Sequence, residues 1–197
     1  MSVFFKSDCL IIDDHPITAM GVKSMIESNF NFTNVHIVND HRDVLKTLRN
    51  NEIILIILDI NLGNVNGIDV FRIIKGHDFQ GKIVFLSACS DMVHVEMTRQ
   101  IGANGYLCKR EELKVHIQNI RHVLNGYNCF PIHGSKFPIL KYKEILTLSY
   151  MIEGKSKNEI VNNLDINPKS INRLEKNILK KFGMDSVGEV VRMHNIN

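Results

Sequence analysis

Side chains that could handle a phosphoryl group are spread along the first 110 residues. They are three carboxylates, a hydroxyl and an ammonium group: Asp13, Asp14, Asp59, Ser87 and Lys109. Three carboxylates held close together repel one another unless they are protonated or bind a cation. Mg²⁺ suits such a set because it takes one or two carboxylates, a carbonyl and several waters, and leaves room for a phosphate oxygen that the hydroxyl and ammonium could also hold. Taken alone, Asp13 and Asp14 could equally be a helix cap and its solvated neighbour.

The fold must bring these side chains together, and a run of six aliphatic residues at positions 53–58 indicates how. Such a run, without polar alternation, is typical of a strand covered on both faces of a parallel sheet. It ends at Asp59, and open α/β sheets bind ligands where their strands end. Further strands are predicted at residues 9–12, 35–38, 82–87 and 105–108, and helices at residues 16–29, 41–49 after an Asp40 cap, 67–76, 92–101 and 111–124. This alternation predicts an α/β fold with a doubly wound five-stranded parallel sheet.

The last third of the chain has a different pattern. Residues 125–138 contain two glycines and two prolines and are predicted to be a linker. Short helices are predicted at residues 141–153, 157–164 and 168–182 and from residue 186 onward, with capping boxes or terminating glycines at their ends. Two short helices joined by a tight turn, the second of them basic, are typical of a helix-turn-helix. We therefore expect a small all-α domain that ends the chain.

The basic helix at residues 168–182 carries outward side chains that can reach phosphates and base edges. They are Lys169, Ser170, Asn172, Arg173, Lys176 and Lys180. Asn172 and Arg173 lie near the start of the helix and are the better candidates for base edges, whereas Lys176 and Lys180 are better placed for phosphates. The distribution of charge also makes the last third of the chain a candidate for binding a polyanion. Residues 1–125 have 13 Lys+Arg against 14 Asp+Glu, whereas residues 126–197 have 11 against 7. The alternative for both observations is a solvated basic surface.

Composition restricts the compartment. No stretch of the 197 residues is apolar over the length of a membrane span, and residues 1–12 lack the basic start and long apolar run of a signal peptide. The four cysteines, Cys9, Cys89, Cys108 and Cys129, form no CxxC pair, which favours reduced thiols over a disulfide framework. We therefore expect a cytoplasmic protein without a membrane partner.

The first part of the chain resembles the receiver domains of bacterial two-component response regulators. The strings LIIDDHP, LDINLGNVNG, VFLSA and GANGYLCK match that family in order over about residues 8–124. The resemblance implies a flavodoxin-like fold in which Asp59 accepts a phosphoryl group from a sensor histidine kinase. It also implies that Asp14, Asp59 and the Asn61 carbonyl bind Mg²⁺, with Asp13 acting largely through water. Lys109 and the cation would then neutralise charge in the transition state.

The resemblance also implies a switch. Ser87 would move towards the phosphoryl oxygen, and Tyr106 would enter the space that Ser87 vacates, so that the packing has two states. Tyr106 could equally be a plain core or surface residue. Gly63 departs from the family, which usually has proline at this position, but the departure removes no ligand.

Residues 140–193 resemble the LuxR-type helix-turn-helix of NarL/FixJ regulators. The matching strings are EGKSKNEI and INPKSINRLEKNILKKFGM, although Leu174 stands where many members have histidine. The predicted organisation is therefore a receiver domain at residues 1–124, a linker at residues 125–138 and a DNA-binding domain at residues 139–197. Val187 and Val191, at (i, i+4) spacing on the last helix, are predicted to supply a dimer contact, unless they only close the small core of this domain.

By this resemblance the chain is a transcription regulator, switched by phosphorylation, that binds double-stranded DNA as a homodimer. The alternative within the same class binds DNA without phosphorylation, or as a heterodimer partner, and leaves its acidic pocket unused. A phosphatase or phosphotransferase acting on other substrates would need a second nucleophile, a P-loop or a substrate domain, and the sequence offers none of these. The basic helix-turn-helix disfavours a protein-binding adaptor. We therefore expect no enzyme activity beyond self-phosphorylation and slow hydrolysis at Asp59.

Overall fold

The computed structural model describes residues 7–63, 65–88, 92–132 and 137–195, with the backbone alone for residues 191 and 193–195. The chain divides into two compact units, residues 1–90 with 103–130, and residues 91–102 with 131–197. Within these described ranges the strands all lie in the first unit: β1 (Asp8–Ile12), β2 (Val35–Val38), β3 (Ile53–Asp59), β4 (Asn61–Leu62), β5 (Val65–Asn66), β6 (Lys82–Ser87) and β7 (Gly105–Cys108). The helices up to residue 124 are α1 (Pro16–Asn29), α2 (Val44–Asn50), α3 (Gly67–Gly76), α4 (Met92–Gln100) and α5 (Leu113–Leu124), of which α4 belongs to the second unit.

A parallel sheet in the order β2-β1-β3-β6-β7 forms the centre of the first unit. In the middle strand β3, residues Leu55 to Leu58 are at most 1% exposed. Successive side chains of a strand point to opposite faces, so a continuous buried run means that both faces of the sheet are covered. On one face Ile11 and Ile57 pack in a cluster with Ile26 of α1 and Val123 of α5. The predicted doubly wound α/β fold is confirmed.

The outer edge of β7 is paired with the segment that follows α5. The Tyr106 N–H donates to the Cys129 carbonyl at 2.9 Å, and the Cys129 N–H donates to the Asn104 carbonyl at 3.0 Å. A Cβ on Gly105 would lie 2.9 Å from the Cys129 oxygen, so glycine permits the close approach of the two backbones. An edge without such a partner would present unpaired backbone groups to other chains.

Two helices of the first unit begin later than the sequence pattern predicts. Asp40 accepts from the Arg42 N–H and caps a short 3₁₀ turn, His41–Asp43, after which α2 begins at Val44. Helix α5 begins at Leu113 rather than at residue 111. Sequence patterns locate helix ends only to within a few residues, because caps and 3₁₀ turns share the same residue types.

The cysteines of the described residues carry free thiols: Cys9, Cys108 and Cys129. Burial, helped by the charge of Asp8, raises the pKa of the Cys9 thiol well above its ordinary value. Cys89 lies outside the described residues. Among the helices that the structure describes, none combines the length and the apolar character needed to cross a membrane.

The described residues of the second unit form α4 and four further helices: α6 (Tyr142–Ile152), α7 (Lys157–Leu164), α8 (Pro168–Phe182) and α9 (Val187–Asn195). Helix α7 begins at the predicted capping box, in which Ser156 Oγ accepts from the Glu159 N–H and Glu159 Oε2 accepts from the Ser156 N–H. Gln100 at the end of α4 donates to the Pro138 carbonyl and accepts from the Leu140 N–H, both at 2.9 Å.

A buried ion pair joins α6 to α8. Glu144, whose side chain is 3% exposed, accepts from Lys181 Nζ at 2.6 Å and from the Lys141 N–H at 2.7 Å. Burial acts to raise the pKa of Glu144, but the hydrogen bonds from Lys181 and Lys141 outweigh it and hold the pKa below the ordinary value of 4.5. A carboxyl group whose pKa is lowered by folding stabilises the folded state above its unfolded pKa and loses that contribution as the pH falls.

Glu144→Gln should lower the free energy of unfolding of this unit by about 1–3 kcal/mol at neutral pH, because Lys181 loses a buried charged partner. The deficit relative to the wild type should shrink as the pH falls below the ordinary carboxyl value, and should disappear below the lowered pKa of folded Glu144, where the carboxylate is protonated in both states. Pulse-labelling hydrogen exchange of peptides from α6 and α8 across a urea titration would isolate this unit. Asp185→Asn, which removes an exposed charge from the same unit, is the control and should leave its stability unchanged. A deficit that is the same at all pH values would assign the loss to packing instead of the ion pair.

Candidate functional site

The ends of three strands bring together three of the predicted site residues. Asp13 follows β1, Asp59 ends β3 and Lys109 follows β7. Lys109 Nζ donates to Asp59 Oδ2 at 2.6 Å and to Asp13 Oδ2 at 3.0 Å. The strands of a parallel sheet all end at the same edge, so residues that are 50 and 96 positions from Lys109 meet there.

The electrostatics of this group leave an excess of negative charge. Asp13 and Asp59 are only 1% and 4% exposed. Burial raises the pKa of Asp59, and the hydrogen bond from Lys109 opposes this rise without cancelling it. Burial acts to lower the pKa of Lys109, but the hydrogen bonds to Asp59 and Asp13 outweigh it and raise that pKa. One ammonium thus faces two buried carboxylates, an arrangement that a further cation would stabilise.

The donor atoms fit a divalent cation. Asp13, Asp14, His15 and Asp59 each offer one possible ligand atom, and these atoms all lie within 4.8 Å of one another. Carboxylate oxygens are the ligands that Mg²⁺ prefers. Gly63, which has a left-handed φ of 67°, lies close to this cluster, because a Cβ there would be 3.0 Å from Asp14 Oδ2. The acidic cluster that the sequence predicted is therefore present.

His15 is a neighbour of the site that the sequence analysis did not single out. Its Nδ1 lies 2.9 Å from Asp14 Oδ1, and its side chain is 66% exposed. Its backbone N–H donates to Asp13 Oδ1 at 2.8 Å. The feature of the sequence that could have identified His15 is its position directly after Asp13 and Asp14.

The loop after β3 is shaped by a close backbone approach. A Cβ on Gly67 would lie 2.2 Å from the Asp59 carbonyl oxygen, so only glycine fits there. The Gly67 N–H donates to the Ile60 carbonyl at 2.7 Å, which closes the loop. In the same loop the Asn61 N–H donates to Asp59 Oδ1 at 3.3 Å. The role of the Asn61 carbonyl as a metal ligand stays a prediction. The sequence pattern places Gly67 only at the start of a helix and does not indicate this close approach.

The two predicted switch residues lie on the neighbouring strands β6 and β7. Ser87 ends β6 and is 7% exposed, and its carbonyl accepts from the Lys109 N–H at 2.7 Å. Tyr106, on β7, is 1% exposed. Their movement on phosphorylation stays a prediction.

Helix α8 begins and ends at the predicted residues. The Asn167 side chain accepts from the Lys169 N–H, Pro168 is the first helical residue, and Gly183 ends the helix with a left-handed φ of 66°. The helix packs against α6, α7 and α9. Its inward residue Ile171 is buried in a cluster with Tyr150 and Ile160.

The opposite face of α8 is polar and basic. Five of the predicted DNA-binding residues are exposed there: Lys169, Asn172, Arg173, Lys176 and Lys180. Ser170, the sixth, is half-buried. Lys181 follows Lys180 on α8, but its ammonium donates to Glu144, so it is not counted among the groups that this face offers to a ligand. The helix therefore presents cationic and amide groups to the outside, which suits a polyanion.

The predicted dimer residues of α9 are described only in part. Val187 is half-buried, and the side chain of Val191 lies outside the described residues. Val190, between them, is completely buried. At least one valine of this helix thus packs in the core of its own unit, and the dimer contact stays a prediction.

Comparison with known proteins finds two family matches along the chain. Residues 9–121 match the response regulator receiver domain, and residues 139–194 match the luxR family of bacterial regulatory proteins. The Fimbriae Z protein of Salmonella typhimurium is 30% identical over 195 residues, which cover 92% of this chain and 93% of that protein. The DNA-binding transcriptional activator EvgA of Escherichia coli K12 is 24% identical over 194 residues, with coverages of 91% and 93%.

A solved structure has the same fold. RcsB from Salmonella enterica serovar Typhimurium, bound to promoter rprA in the presence of phosphomimetic BeF3-, superposes with a TM-score of 0.72 at 20% identity. The match covers 97% of this chain and 100% of that one. The receiver match spans more than half of the chain, and the Fimbriae Z protein is similar over nearly its whole length. The chain belongs to the response regulators that join a receiver domain to a LuxR-type DNA-binding domain.

Proposed function

We propose that this protein is a transcription regulator that accepts a phosphoryl group on Asp59 from a sensor histidine kinase and then binds double-stranded DNA as a homodimer. The observation that carries the proposal is the contact of Lys109 Nζ with both Asp59 and Asp13, in a chain that also has an exposed basic helix α8. Two relatives support it, since EvgA is described as a DNA-binding transcriptional activator and RcsB was solved on promoter DNA with a phosphomimetic.

In the phosphoryl transfer, a carboxylate oxygen of Asp59 attacks phosphorus, and the bond from phosphorus to the imidazole nitrogen of the kinase histidine breaks. The nitrogen keeps the electron pair, and Asp59 becomes an acyl phosphate. Lys109 Nζ already lies within 3.0 Å of an oxygen of each carboxylate. It neutralises the negative charge that develops on the phosphoryl oxygens during the transfer. Asp14, Asp59 and the Asn61 carbonyl would hold Mg²⁺, with Asp13 acting largely through water, and the ion would supply further positive charge to the phosphoryl group when bound. Ser87 would contact a further phosphoryl oxygen, and Tyr106 would then enter the space that Ser87 vacates. This paired movement is the proposed switch.

DNA reading is proposed for the exposed face of α8. Asn172 and Arg173, in its first turns, would contact base edges in the major groove, as a recognition helix does with its N-terminal residues. Lys169, Ser170, Lys176 and Lys180 would contact phosphates or sugars and position the helix.

Val187→Asp should weaken cooperative binding to a paired site more than binding to an isolated half-site, because α9 is proposed to carry the dimer contact. Val187 is the first residue of α9, where an added carboxylate is compatible with the helix dipole, so the helix itself should persist. Gel-shift titrations on duplexes with one or two half-sites measure the difference. Equal losses on both duplexes would mean that Val187 serves only the core of its own domain.

The function is tested by incubating the full chain with Mg²⁺ and a small acyl phosphate. Phosphate incorporation, oligomeric state and DNA binding are then measured on the same sample. We expect incorporation of one phosphate together with dimer formation and tighter binding to a specific duplex. Incorporation without any effect on DNA binding would favour the alternative in which the regulator binds DNA independently of phosphorylation. Absence of specific DNA binding in either state would contradict the proposal.

A further inference from the structure

Lys157, the first residue of α7, reaches across to helix α8. Its Nζ donates to Asn172 Oδ1 at 3.1 Å and to Glu175 Oε2 at 2.5 Å. The Lys157 side chain is 53% exposed and that of Glu175 is 24% exposed. Ion pairs this open to solvent add little to stability, so the main consequence of the contact is the orientation of the groups it joins.

The contact determines which end of the Asn172 amide points outward. A lysine ammonium has only hydrogen-bond donors, whereas an amide has an accepting carbonyl and a donating NH₂ group. Lys157 can therefore bind only the carbonyl oxygen, which turns the NH₂ group away from it. Since Asn172 is exposed, the group it offers to a ligand is chiefly a donor.

The bases differ in what they offer to such a donor. An unrestrained asparagine pairs with adenine through both ends of its amide, accepting from the N6 amino group and donating to N7. An amide whose oxygen is already bound to a lysine loses much of the first interaction. Guanine presents two adjacent acceptors, O6 and N7, in the major groove and no donor beside them. A donor held outward therefore favours guanine.

Resting on the proposed DNA-reading role of α8, we propose that Lys157 is a specificity-determining residue that acts by positioning Asn172. With Glu175 as its counter-ion, Lys157 holds the Asn172 amide as a donor and directs it to guanine instead of adenine. Glu175 is needed because its carboxylate holds the Lys157 ammonium against α8. Without Glu175, that ammonium would be free to bind a DNA phosphate. The carboxylate of Glu175, in turn, is neutralised where it would repel the DNA backbone.

The test is a selection of binding sites from randomised duplexes by the full chain, with Mg²⁺ and an acyl phosphate present. Asn172→Ala identifies the base position that Asn172 reads, as the position whose preference disappears. At that position the wild type should select guanine, and Lys157→Met should shift the guanine-to-adenine ratio by about tenfold towards adenine. Glu175→Gln, which keeps the side-chain shape, should shift the ratio in the same direction. Lys155→Met is the matched control, since it removes the same charge two residues earlier, and should leave the ratio unchanged.

The salt dependence separates this role from a backbone contact. Uniformly weaker binding of Lys157→Met, with the guanine preference intact and the salt slope lowered by about one, would make Lys157 a phosphate contact and overturn the proposal. Adenine at the Asn172 position in the wild-type selection would also overturn it. If the wild type enriches no sequence at all, the proposed DNA-reading function itself fails, which distinguishes that failure from a wrong role for Lys157. Should Lys157→Met not fold, Glu175→Gln alone decides, because an unchanged ratio there contradicts the proposal.

Discussion

Asp59→Asn should abolish the incorporation of hydroxylamine-sensitive phosphate from an acyl phosphate in the presence of Mg²⁺. Asparagine has nearly the same shape as aspartate, and its side-chain oxygen can still accept from Lys109 Nζ, which lies 2.6 Å from Asp59 Oδ2. It lacks the carboxylate that attacks phosphorus, so no acyl phosphate can form. Mass spectrometry of the intact chain, before and after hydroxylamine, measures the incorporation directly.

The same variant should keep its fold, which separates lost chemistry from lost stability. The substitution removes a buried charge that faces Asp13, so it relieves repulsion in a site of low exposure. Asp78→Asn is the matched control, because Asp78 is exposed and has a φ of 59°, a region that asparagine also adopts. It should accept phosphate at the wild-type rate. Full incorporation into the Asp59→Asn variant would mean that another residue is the acceptor.

The parts of the fold that could be predicted from the sequence are those set by local chemistry. The aliphatic run before Asp59 became the buried strand β3, and α8 begins at Pro168 and ends before Gly183, as its capping residues indicate. Strand ends carrying charged residues predicted that Asp13 and Lys109 would meet Asp59, because a parallel sheet aligns such ends whatever their separation along the chain. Each of these predictions depends on a local pattern of residue types that marks where a strand or helix begins or ends.

The parts that could not be predicted depend on distances between backbones or on which side chain reaches which partner. Gly67 looks like any residue at a helix start, and only the folded loop shows that a Cβ there would collide with the Asp59 carbonyl oxygen. The pairing of Cys129 with Tyr106 is a backbone contact that carries no side-chain signature. Nothing in the sequence pairs Lys157 with Asn172 and Glu175, which are 15 and 18 residues away on another helix.

Arg173→Ala and Lys180→Ala should affect DNA binding in two different ways, although both remove one positive charge from the exposed face of α8. Arg173 lies in the second turn of the helix, where a recognition helix meets base edges. Its loss should cost roughly 1–3 kcal/mol on the preferred site and relax specificity at one position. Lys180 lies in the last turn, where a side chain is placed for the backbone, so its loss should weaken all sequences alike and lower the salt slope by about one.

The two variants lose the same charge, so a difference between their effects reports which part of the DNA each side chain contacts. Titrations on the preferred duplex and on a scrambled duplex, at several salt concentrations, give both the specificity ratio and the slope. Lys114→Ala on α5, which removes an exposed charge from the receiver unit, should leave both quantities near the wild type. A uniform loss for Arg173→Ala would turn Arg173 into a phosphate contact and leave Asn172 as the main reader of bases on this helix. If neither Arg173→Ala nor Lys180→Ala weakens binding to the preferred duplex, DNA must bind to a different surface of the domain, because a face that contacts a polyanion cannot lose these charges without effect.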